Sequence, residues 1–436
     1  MTSSRFLVRV AGAVWIAVAA MADARAQAPL QLGSLQRAAL ASDARSREIE
    51  QLQRQSALRL KNLDVEQLPS VSVLGQTQYQ SDVPTAPFSL PNGEPAFAPP
   101  KFTYDASLRV DQRLYDPSLE PRRALERAGL AESQARVRTS LYALRQEVNE
   151  AFFTAKLLEE QLGSLETSIA DLEARLRETT ARVREGAALA GDAAAVEATL
   201  LRQRQQADEI RASRRAAMAR LARLAGEPID ADAPLALPDL AATASQARRD
   251  LDALRARPEY DQFARTRDRA ARQEDVAAAA ERPQVSAFGR VGYGRPGLNF
   301  INDGSESYAI AGLQLNWKAW NWGAAARERD ALAIQQEIVS AEEASFSSAI
   351  RRGVENDLAT IDRLQGAADA DQRILELREA IDKAARVRLD EGVTTAADYL
   401  DRRTEWLTAQ FERARHRVEL AYAEARLLTT LGLEVH

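Results

Sequence analysis

The sequence predicts a mainly helical protein built from two structural repeats, each with the order helix, strand, strand, long helix, helix. Segments of the first half recur in the second: "LARLAG" from Leu221 matches "LLTTLG" from Leu427, 206 residues later. Short stretches alternate apolar and polar residues, as strands do, and long stretches carry apolar residues in helical steps of three and four. The two halves therefore share one plan.

Composition excludes several classes of site. The chain has 436 residues, a formal net charge of −5, no cysteine and only two histidines, His416 and His436. Without cysteine there is no disulfide framework, thiolate metal site or cysteine-linked lipid anchor. Few histidines leave little room for metal clusters or histidine-dependent catalysis. The sequence has no stripe of basic residues of the kind that binds nucleic acid. We also expect no cofactor and no bound metal.

The first 26 residues have the features of a secretory signal peptide. Arg5 and Arg9 precede the short apolar core "VAGAVWIAVAAMA", and "ARA", ending at Ala26, gives a small-x-small cleavage pattern. An uncleaved anchor is the alternative. No later stretch is apolar enough for a transmembrane helix, so we expect an exported protein that is either soluble or a β-barrel.

Four segments show the period-two pattern of strands, at about 69–80, 102–115, 283–293 and 306–318. Their length of roughly 9–13 residues suits tilted strands that cross a bilayer. Alternation alone, however, favours a soluble sheet with one face buried. The apolar positions that would meet lipid in a membrane are Val71, Val73, Leu108, Val110, Leu313, Leu315 and Trp317.

Long helical hairpins are predicted at about 117–226 and 322–432. No proline occurs between Pro121 and Pro228, or anywhere after Pro296. From Leu141 onwards, apolar residues follow a heptad seam for about five heptads, which is typical of a coiled coil. At 1.5 Å per residue the longest helices would measure about 100 Å, far more than a compact domain needs.

Each hairpin contains a break with the same spacing. Gly186 and Gly392 stand where a long helix should end, since glycine tolerates the left-handed conformation that terminates helices. Asp192 and Asp398 each follow their glycine by six residues, and Asp401 comes one turn later. On the simplest interpretation Asp398 caps its helix in a Thr-x-x-Asp signal, while the other two aspartates are solvated surface charges.

These patterns divide the chain into segments. We predict a signal peptide at 1–26, a first repeat at 27–230 with its hairpin tip at 184–194, a linker at 231–250, and a second repeat at 251–436 with its tip at 390–397.

The repeated plan resembles the TolC-like outer-membrane efflux proteins. The motifs that carry the resemblance are "RLDEGVTTAADYLDRRTEWLTAQ", its weaker copy "RVREGAALAGDAAAVEATLL", and the strand exits "RVDQRLYDP" and "LNWKAWNWG". The resemblance implies a homotrimer in which each chain gives four strands to one twelve-stranded outer-membrane β-barrel. A periplasmic α-helical coiled-coil barrel continues it. On this interpretation the alternating strands face outer-membrane lipid rather than a soluble core.

The resemblance also implies roles for the hairpin tips. Turn residues Gly186, Ala187, Gly392 and Val393 correspond to the docking site for a periplasmic adaptor. The aspartates that line the periplasmic entrance of the pore correspond to Asp192, Asp398 and Asp401. Two residues depart from the family pattern: Leu389 replaces a frequent tyrosine, and Thr394 replaces a gate arginine, so we expect the charge-paired latch to be absent or different.

The function that follows from the resemblance is a passive exit duct of a tripartite efflux or type I secretion system. Its partners would be the adaptor and an inner-membrane transporter of the resistance-nodulation-division, ABC or another type. A periplasmic adaptor protein is the alternative, but two strand-pair-plus-hairpin halves argue against it. An enzyme is not expected, because no nucleophile-elbow, phosphate-loop or metal pattern appears. The cargo is not specified.

Overall fold

Two sequence patterns determine the architecture. Segments that alternate apolar and polar residues pair into one sheet, and segments with apolar heptads form long helices. The computed structural model describes residues 28–84, 88, 91, 99–249, 256–298 and 304–435. The predicted signal peptide and part of the proline-rich loop between the first two strands lie outside the described residues. The signal peptide therefore stays a prediction.

The elements follow the predicted order in both repeats. The first repeat contains α1 (Leu32–Ser42), α2 (Ala44–Val65), β1 (Ser70–Tyr79), β2 (Phe102–Tyr115), α3 (Leu119–Arg184) and α4 (Ala190–Ala225). The second contains α5 (Ala241–Ala247), α6 (Pro258–Ala279), β3 (Gln284–Arg295), β4 (Glu306–Asn316), α7 (Ala324–Asp390) and α8 (Ala396–Leu431). The mainly helical, two-repeat fold is thus confirmed.

The four strands form one antiparallel sheet in chain order, β1-β2-β3-β4. All three strand pairs, β1–β2, β2–β3 and β3–β4, are antiparallel. The last rung between β3 and β4 joins Gln284 to Asn316. Trp317, predicted as a strand residue, therefore lies just beyond β4, since β3 offers no partner before Gln284. Its indole N–H instead donates to the carbonyl of Glu281 at 3.0 Å.

The chain divides into two compact units, each of which takes segments from both repeats. Among the described residues, one unit takes those within 1–43, 141–256 and 350–436, and the other takes those within 44–140 and 257–349. The sheet belongs to the second unit, and both hairpin tips belong to the first. The long helices α3 and α7 contribute to both units.

The segment predicted as a linker, 231–250, is a packed part of the first unit over its described residues. It contains α5, and Leu30 pairs with Leu235 in an isolated parallel bridge. Leu235 and Leu240 are buried in the main hydrophobic cluster of this unit, together with Phe152 and Leu427. The segment packs because its apolar side chains alternate with polar ones and enter the core, which a flexible linker would not do.

Within the described part of the chain, no helix combines the length and the apolarity needed to cross a lipid bilayer.

Candidate pore entrance and membrane face

The two hairpin turns have the same backbone geometry. Gly186 and Gly392 adopt positive φ angles of 75° and 73°. The next residues, Ala187 and Val393, each donate an N–H to the carbonyl five positions earlier, at 2.8 Å in both turns. This is the Schellman motif, which satisfies the last helical carbonyls and reverses the chain. A side chain at either glycine would be strained whatever space surrounds it.

Beyond the glycines, the turns present apolar side chains to the outside. Ala187 is exposed, and Val393 is 72% exposed. Leu189, in the first turn, is 76% exposed. The turns therefore place apolar side chains at the surface beside the hydrogen-bonded glycines.

The second turn leads into α8 through a local hydrogen-bond network. Thr395 is the N-cap residue, and its hydroxyl oxygen accepts the backbone N–H of Asp398 at 3.1 Å, so the predicted start signal is confirmed. The hydroxyls of Thr395 and Thr394 donate to the Asp398 carboxylate at 2.8 and 3.1 Å. These hydrogen bonds, first from Thr395 and then from Thr394, lower the pKa of Asp398 below its ordinary value. Asp398 is therefore an exposed, ionised carboxylate.

Asp192 has a different role from Asp398. One carboxylate oxygen accepts the N–H of Leu189 at 3.2 Å, which caps its own helix α4. The other accepts the N–H of Ala396, the first residue of α8, at 3.3 Å. The simplest interpretation of Asp192 as a solvated surface charge is wrong, because the half-buried side chain joins the start of one hairpin's return helix to that of the other.

Asp401 is exposed on α8, three residues after Asp398. Residues three apart share a helix face, so these two carboxylates lie together, whereas Asp192 is engaged at the neighbouring helix start. The structure thus separates the three predicted pore aspartates into an exposed pair and one capping residue.

All four hairpin helices meet in a small apolar cluster behind the turns. Leu172 of α3, Val196 of α4 and Tyr399 of α8 are buried there, and Leu389 of α7 packs against them. Leu389, which stands where the family often has tyrosine, therefore contributes apolar packing to the cluster.

Two buried arginines, Arg175 and Arg403, connect the hairpins, and neither is among the site residues predicted from the sequence. Arg175, 6% exposed, binds Asp390 of α7 at 2.6 Å, and its guanidinium carbon lies 5.2 Å from the ring centre of Tyr399. Arg403, also 6% exposed, binds Asp382 at 3.2 Å and Asp171 of α3.

A signal for one of these arginines was present in the sequence. Arg403 follows Leu400 by three residues and precedes Leu407 by four, which places it on the buried seam of α8. A charged residue on such a seam requires a partner. The pattern does not reveal that the partners come from α3 and α7.

The sheet register places the predicted lipid-facing residues on one face. Val71 pairs with Val110 and Val73 with Leu108, while Leu313 pairs with Ala287. Side chains of directly paired residues in antiparallel strands point to the same side. Six of the seven predicted residues have exposures between 41% and 81%, namely Val71, Val73, Leu108, Leu313, Leu315 and Trp317. The seventh, Val110, is half-buried.

The opposite face of the sheet is polar and carries paired charges. Arg109 binds Asp111 at 2.8 Å, and Arg290 binds Asp105 at 2.7 Å. Ser107, 5% exposed, accepts a further hydrogen bond from Arg290 at 2.9 Å. The sheet thus has one apolar face and one charged face. An apolar medium suits the first face, and water suits the second.

Aromatic side chains lie at both ends of the sheet. Tyr104 contacts Phe102 and Tyr293, with ring centres 6.4 Å apart in each pair. Past the other end, Trp320 and Trp322 pack edge to face at 5.8 Å. Aromatic residues concentrate at membrane–water interfaces, where an apolar ring and a polar edge both find suitable surroundings.

The chain matches one protein-family model over part of its length and several solved structures over most of it. Residues 237–433 match the family model of outer membrane efflux proteins. A search of curated proteins gives no match.

Several solved structures share the fold over almost the whole chain. CusC is 15% identical, with 92% of each chain covered and a TM-score of 0.69. The outer membrane protein VceC of Vibrio cholerae is 13% identical, with 93% of this chain and 97% of that chain covered and a TM-score of 0.67. The MtrE outer membrane channel of Neisseria gonorrhoeae is 20% identical, with 92% and 89% covered and a TM-score of 0.66.

The resemblance predicted from the hairpin and strand motifs is thereby confirmed. Residues 237–433 match the outer membrane efflux protein family model, and the chain as a whole has the fold of the outer-membrane channels that it resembles.

Proposed function

We propose that this protein is the outer-membrane exit duct of a tripartite efflux or type I secretion system. The observation that carries the proposal is the sheet, whose exposed apolar face, charged opposite face and aromatic ends suit a wall between lipid and water. The family match and the two helical hairpins support the same function. The duct itself is passive, and energy comes from a partner transporter.

Closure of the barrel requires more than one chain. β1 and β4 are the edge strands of the described sheet. Unpaired strand edges are too costly in lipid to persist. Four strands are too few to close a barrel, whereas the twelve strands of a homotrimer can do so. Three copies would therefore pair β4 of one chain with β1 of the next.

The helices give a second argument for association of copies. Ile374, Leu377 and Ile381 follow one another at helical spacing on α7 and are 47%, 48% and 42% exposed. Ile334 and Ile338, on another part of α7, are 55% and 46% exposed. Such stripes are the seams by which helices pack side by side, and neighbouring protomers would cover them.

The hairpin tips form the periplasmic entrance in this proposal. The turns around Gly186, Ala187, Gly392 and Val393 dock a periplasmic adaptor that belongs to an inner-membrane transporter. Val393 and Leu189 supply exposed apolar contacts for that docking.

The exposed pair Asp398 and Asp401 lines the entrance. Asp192 acts beside it by holding the start of α8 rather than as a free pore charge. The contacts of Arg175 with Asp390 and of Arg403 with Asp171 provide the ion pairs between hairpins that the residue at position 394, a threonine here, does not.

Fractionation of cells tests the proposed location. We expect the protein in the outer-membrane fraction after gentle lysis, with extraction only by detergent, because the apolar sheet face requires lipid. The alternative, a periplasmic adaptor, would leave the folded chain in solution once any anchor is removed. Recovery of the bulk of the folded protein in the detergent-free periplasmic extract would refute the proposed function.

A further inference from the structure

A cavity of about 560 Å³ lies between α2 and α3, with Arg269 of α6 also lining it. All of its lining residues belong to the unit that contains the sheet. None of them takes part in the hairpin tips or in the two sheet faces described above. The cavity therefore has no role in the proposed entrance or membrane wall.

Small side chains form part of the cavity lining. Ser56 of α2 is 3% exposed, and its hydroxyl has no hydrogen-bond partner among the described residues. Gly129 and Ser133 of α3 line the same space. The Ser56 hydroxyl is itself shielded from solvent, so it lies behind the cavity wall and is not a contact for a bound group. The small residues at these positions keep the cavity open.

Arginines outnumber carboxylates around the cavity. Four arginines and three glutamates line it, namely Arg59, Arg122, Arg136, Arg269, Glu66, Glu126 and Glu132. Arg122 binds Glu66 through two hydrogen bonds of 2.6 and 2.7 Å, and Arg269 binds Glu132 at 2.8 Å. Two of the three carboxylates are thus firmly held by arginine.

Two of the arginines keep donors for another group. Arg59 approaches Glu126 only to 3.8 Å, and Arg136 approaches Glu132 only to 3.5 Å. Each guanidinium has five N–H donors in a planar fork that matches the oxygens of a phosphate. The excess of positive charge and the spare donors favour an anion.

Apolar residues line the cavity beside these charges, which indicates an amphiphile rather than a small ion alone. Leu52 and Leu63 of α2 face the cavity together with Leu125 and Leu130 of α3. α2 ends at Val65, close in sequence to the start of β1, and α3 begins shortly after β2. The cavity therefore adjoins the helix ends that lead into the sheet.

From these contacts we infer that the cavity binds the phosphate group of an anionic amphiphile, with Arg59 and Arg136 on the phosphate. The acyl chains pack on the leucines. A phospholipid of the surrounding membrane is the source that follows from the proposed function, and the identification of that source rests on it. The phosphate chemistry itself rests only on the cavity.

Titration of the full-length, detergent-purified protein tests the inference by calorimetry. Short-chain dihexanoyl phosphatidylglycerol should bind saturably, and dihexanoylglycerol, which lacks the phosphate, should bind at least tenfold more weakly. Displacement of the lipid by inorganic phosphate would assign recognition to the phosphate alone. Failure of inorganic phosphate to displace it would show that phosphate and acyl chains are both required.

Matched variants locate the site. Gly129→Leu fills the cavity, because nothing lies within 4 Å of an added Cβ and the leucine would extend into the open space. It should weaken lipid binding at least tenfold, as should Arg59→Gln combined with Arg136→Gln. Gly163→Leu, at an exposed helical glycine of α3 outside the cavity, and Arg54→Gln, on α2, should bind as wild type.

The inference fails if wild-type protein shows no saturable binding, if dihexanoylglycerol binds as tightly as the phospholipid, or if Gly129→Leu binds as well as Gly163→Leu. Each of these results concerns the cavity alone. Because the titration uses purified protein, its outcome is independent of the fractionation that tests membrane location.

Discussion

Asp192 and Asp398 follow their glycines at the same distance, yet they bind different partners. Asp398 accepts hydroxyl groups of its own turn, from Thr394 and Thr395. Asp192 accepts the N–H of Ala396, which lies in the other repeat. Two copies of one motif have therefore diverged, so that the Asp192 carboxylate joins the two tips while the Asp398 carboxylate stays within its own turn and is exposed.

The exposed pair should determine ion selectivity. In a trimer, Asp398 and Asp401 contribute two carboxylates from each of three chains, and like charges at this distance attract cations. Asp398→Asn combined with Asp401→Asn should weaken cation selectivity and block by multivalent cations in single-channel recordings. The fold should survive with a small loss of stability, because an asparagine amide oxygen can still accept the hydroxyls of Thr394 and Thr395 but lacks the charge that favours the start of α8.

A matched control separates this effect from general charge loss. Asp208→Asn on α4, whose side chain is 76% exposed, removes a carboxylate away from the turns and should leave selectivity unchanged. Unaltered selectivity and block in the correctly inserted double variant would show that Asp398 and Asp401 serve only as a helix-start residue and a surface charge.

The hairpins depend on how their long helices end. Schellman turns at Gly186 and Gly392 stop α3 and α7 in the same way, because a left-handed glycine lets its own N–H and that of the following residue donate to the last helical carbonyls. The return helices then begin with caps from Thr395 and Asp192. Each tip is thus a tight turn between two antiparallel helices.

Gly392→Val should disturb the tip without dissolving the assembly. A β-branched residue at a φ of 73° costs roughly 1–2 kcal/mol, and the turn contributes nothing to the sheet. Export in cells and adaptor binding in pull-down assays should fall, while the detergent-extracted oligomer should keep its mass.

Gly366→Val provides the control for this prediction. Gly366 is an exposed residue inside α7 with ordinary helical conformation and open space around its Cα, so valine should be tolerated there. Docking at the turn would be disproved by a Gly392→Val protein that exports as well as Gly366→Val.

A single protomer leaves large apolar surfaces without cover. One face of the sheet is exposed, and the Ile374, Leu377 and Ile381 stripe of α7 is exposed as well. Lipid is suited to the first surface and another copy of the chain to the second, since a helix seam packs best on another helix. In the proposed trimer, the same copies would also pair with the edge strands of the sheet.

Association of three copies should therefore depend on the α7 stripe. Leu377→Gln combined with Ile381→Gln places amides in the proposed seam and should reduce the trimer fraction in mass measurements of the detergent-extracted protein. Arg373→Gln, 71% exposed on the same stretch of α7, should leave the mass unchanged. A stable wild-type monomer in detergent would rule out the trimer.

Local periodicity in the sequence was sufficient to locate the strands, the long helices and their breaks. Alternation such as Val71 and Val73 depends on the pleat of one strand, and heptads depend on the turn of one helix. Gly186 and Gly392 are equally local, because a helix end requires a left-handed residue at one position. The Thr395 cap could be predicted for the same reason, since it closes within one turn.

Contacts between distant segments could not be obtained in this way. Asp192 meets Ala396 across 204 positions, and Arg175 meets Asp390 across 215. Leu235 enters the core although its segment was expected to be a linker. Each of these contacts depends on how helices with similar seams are placed side by side. One helix's periodicity states which face is buried but not which neighbour buries it, and packing in three dimensions selects that neighbour.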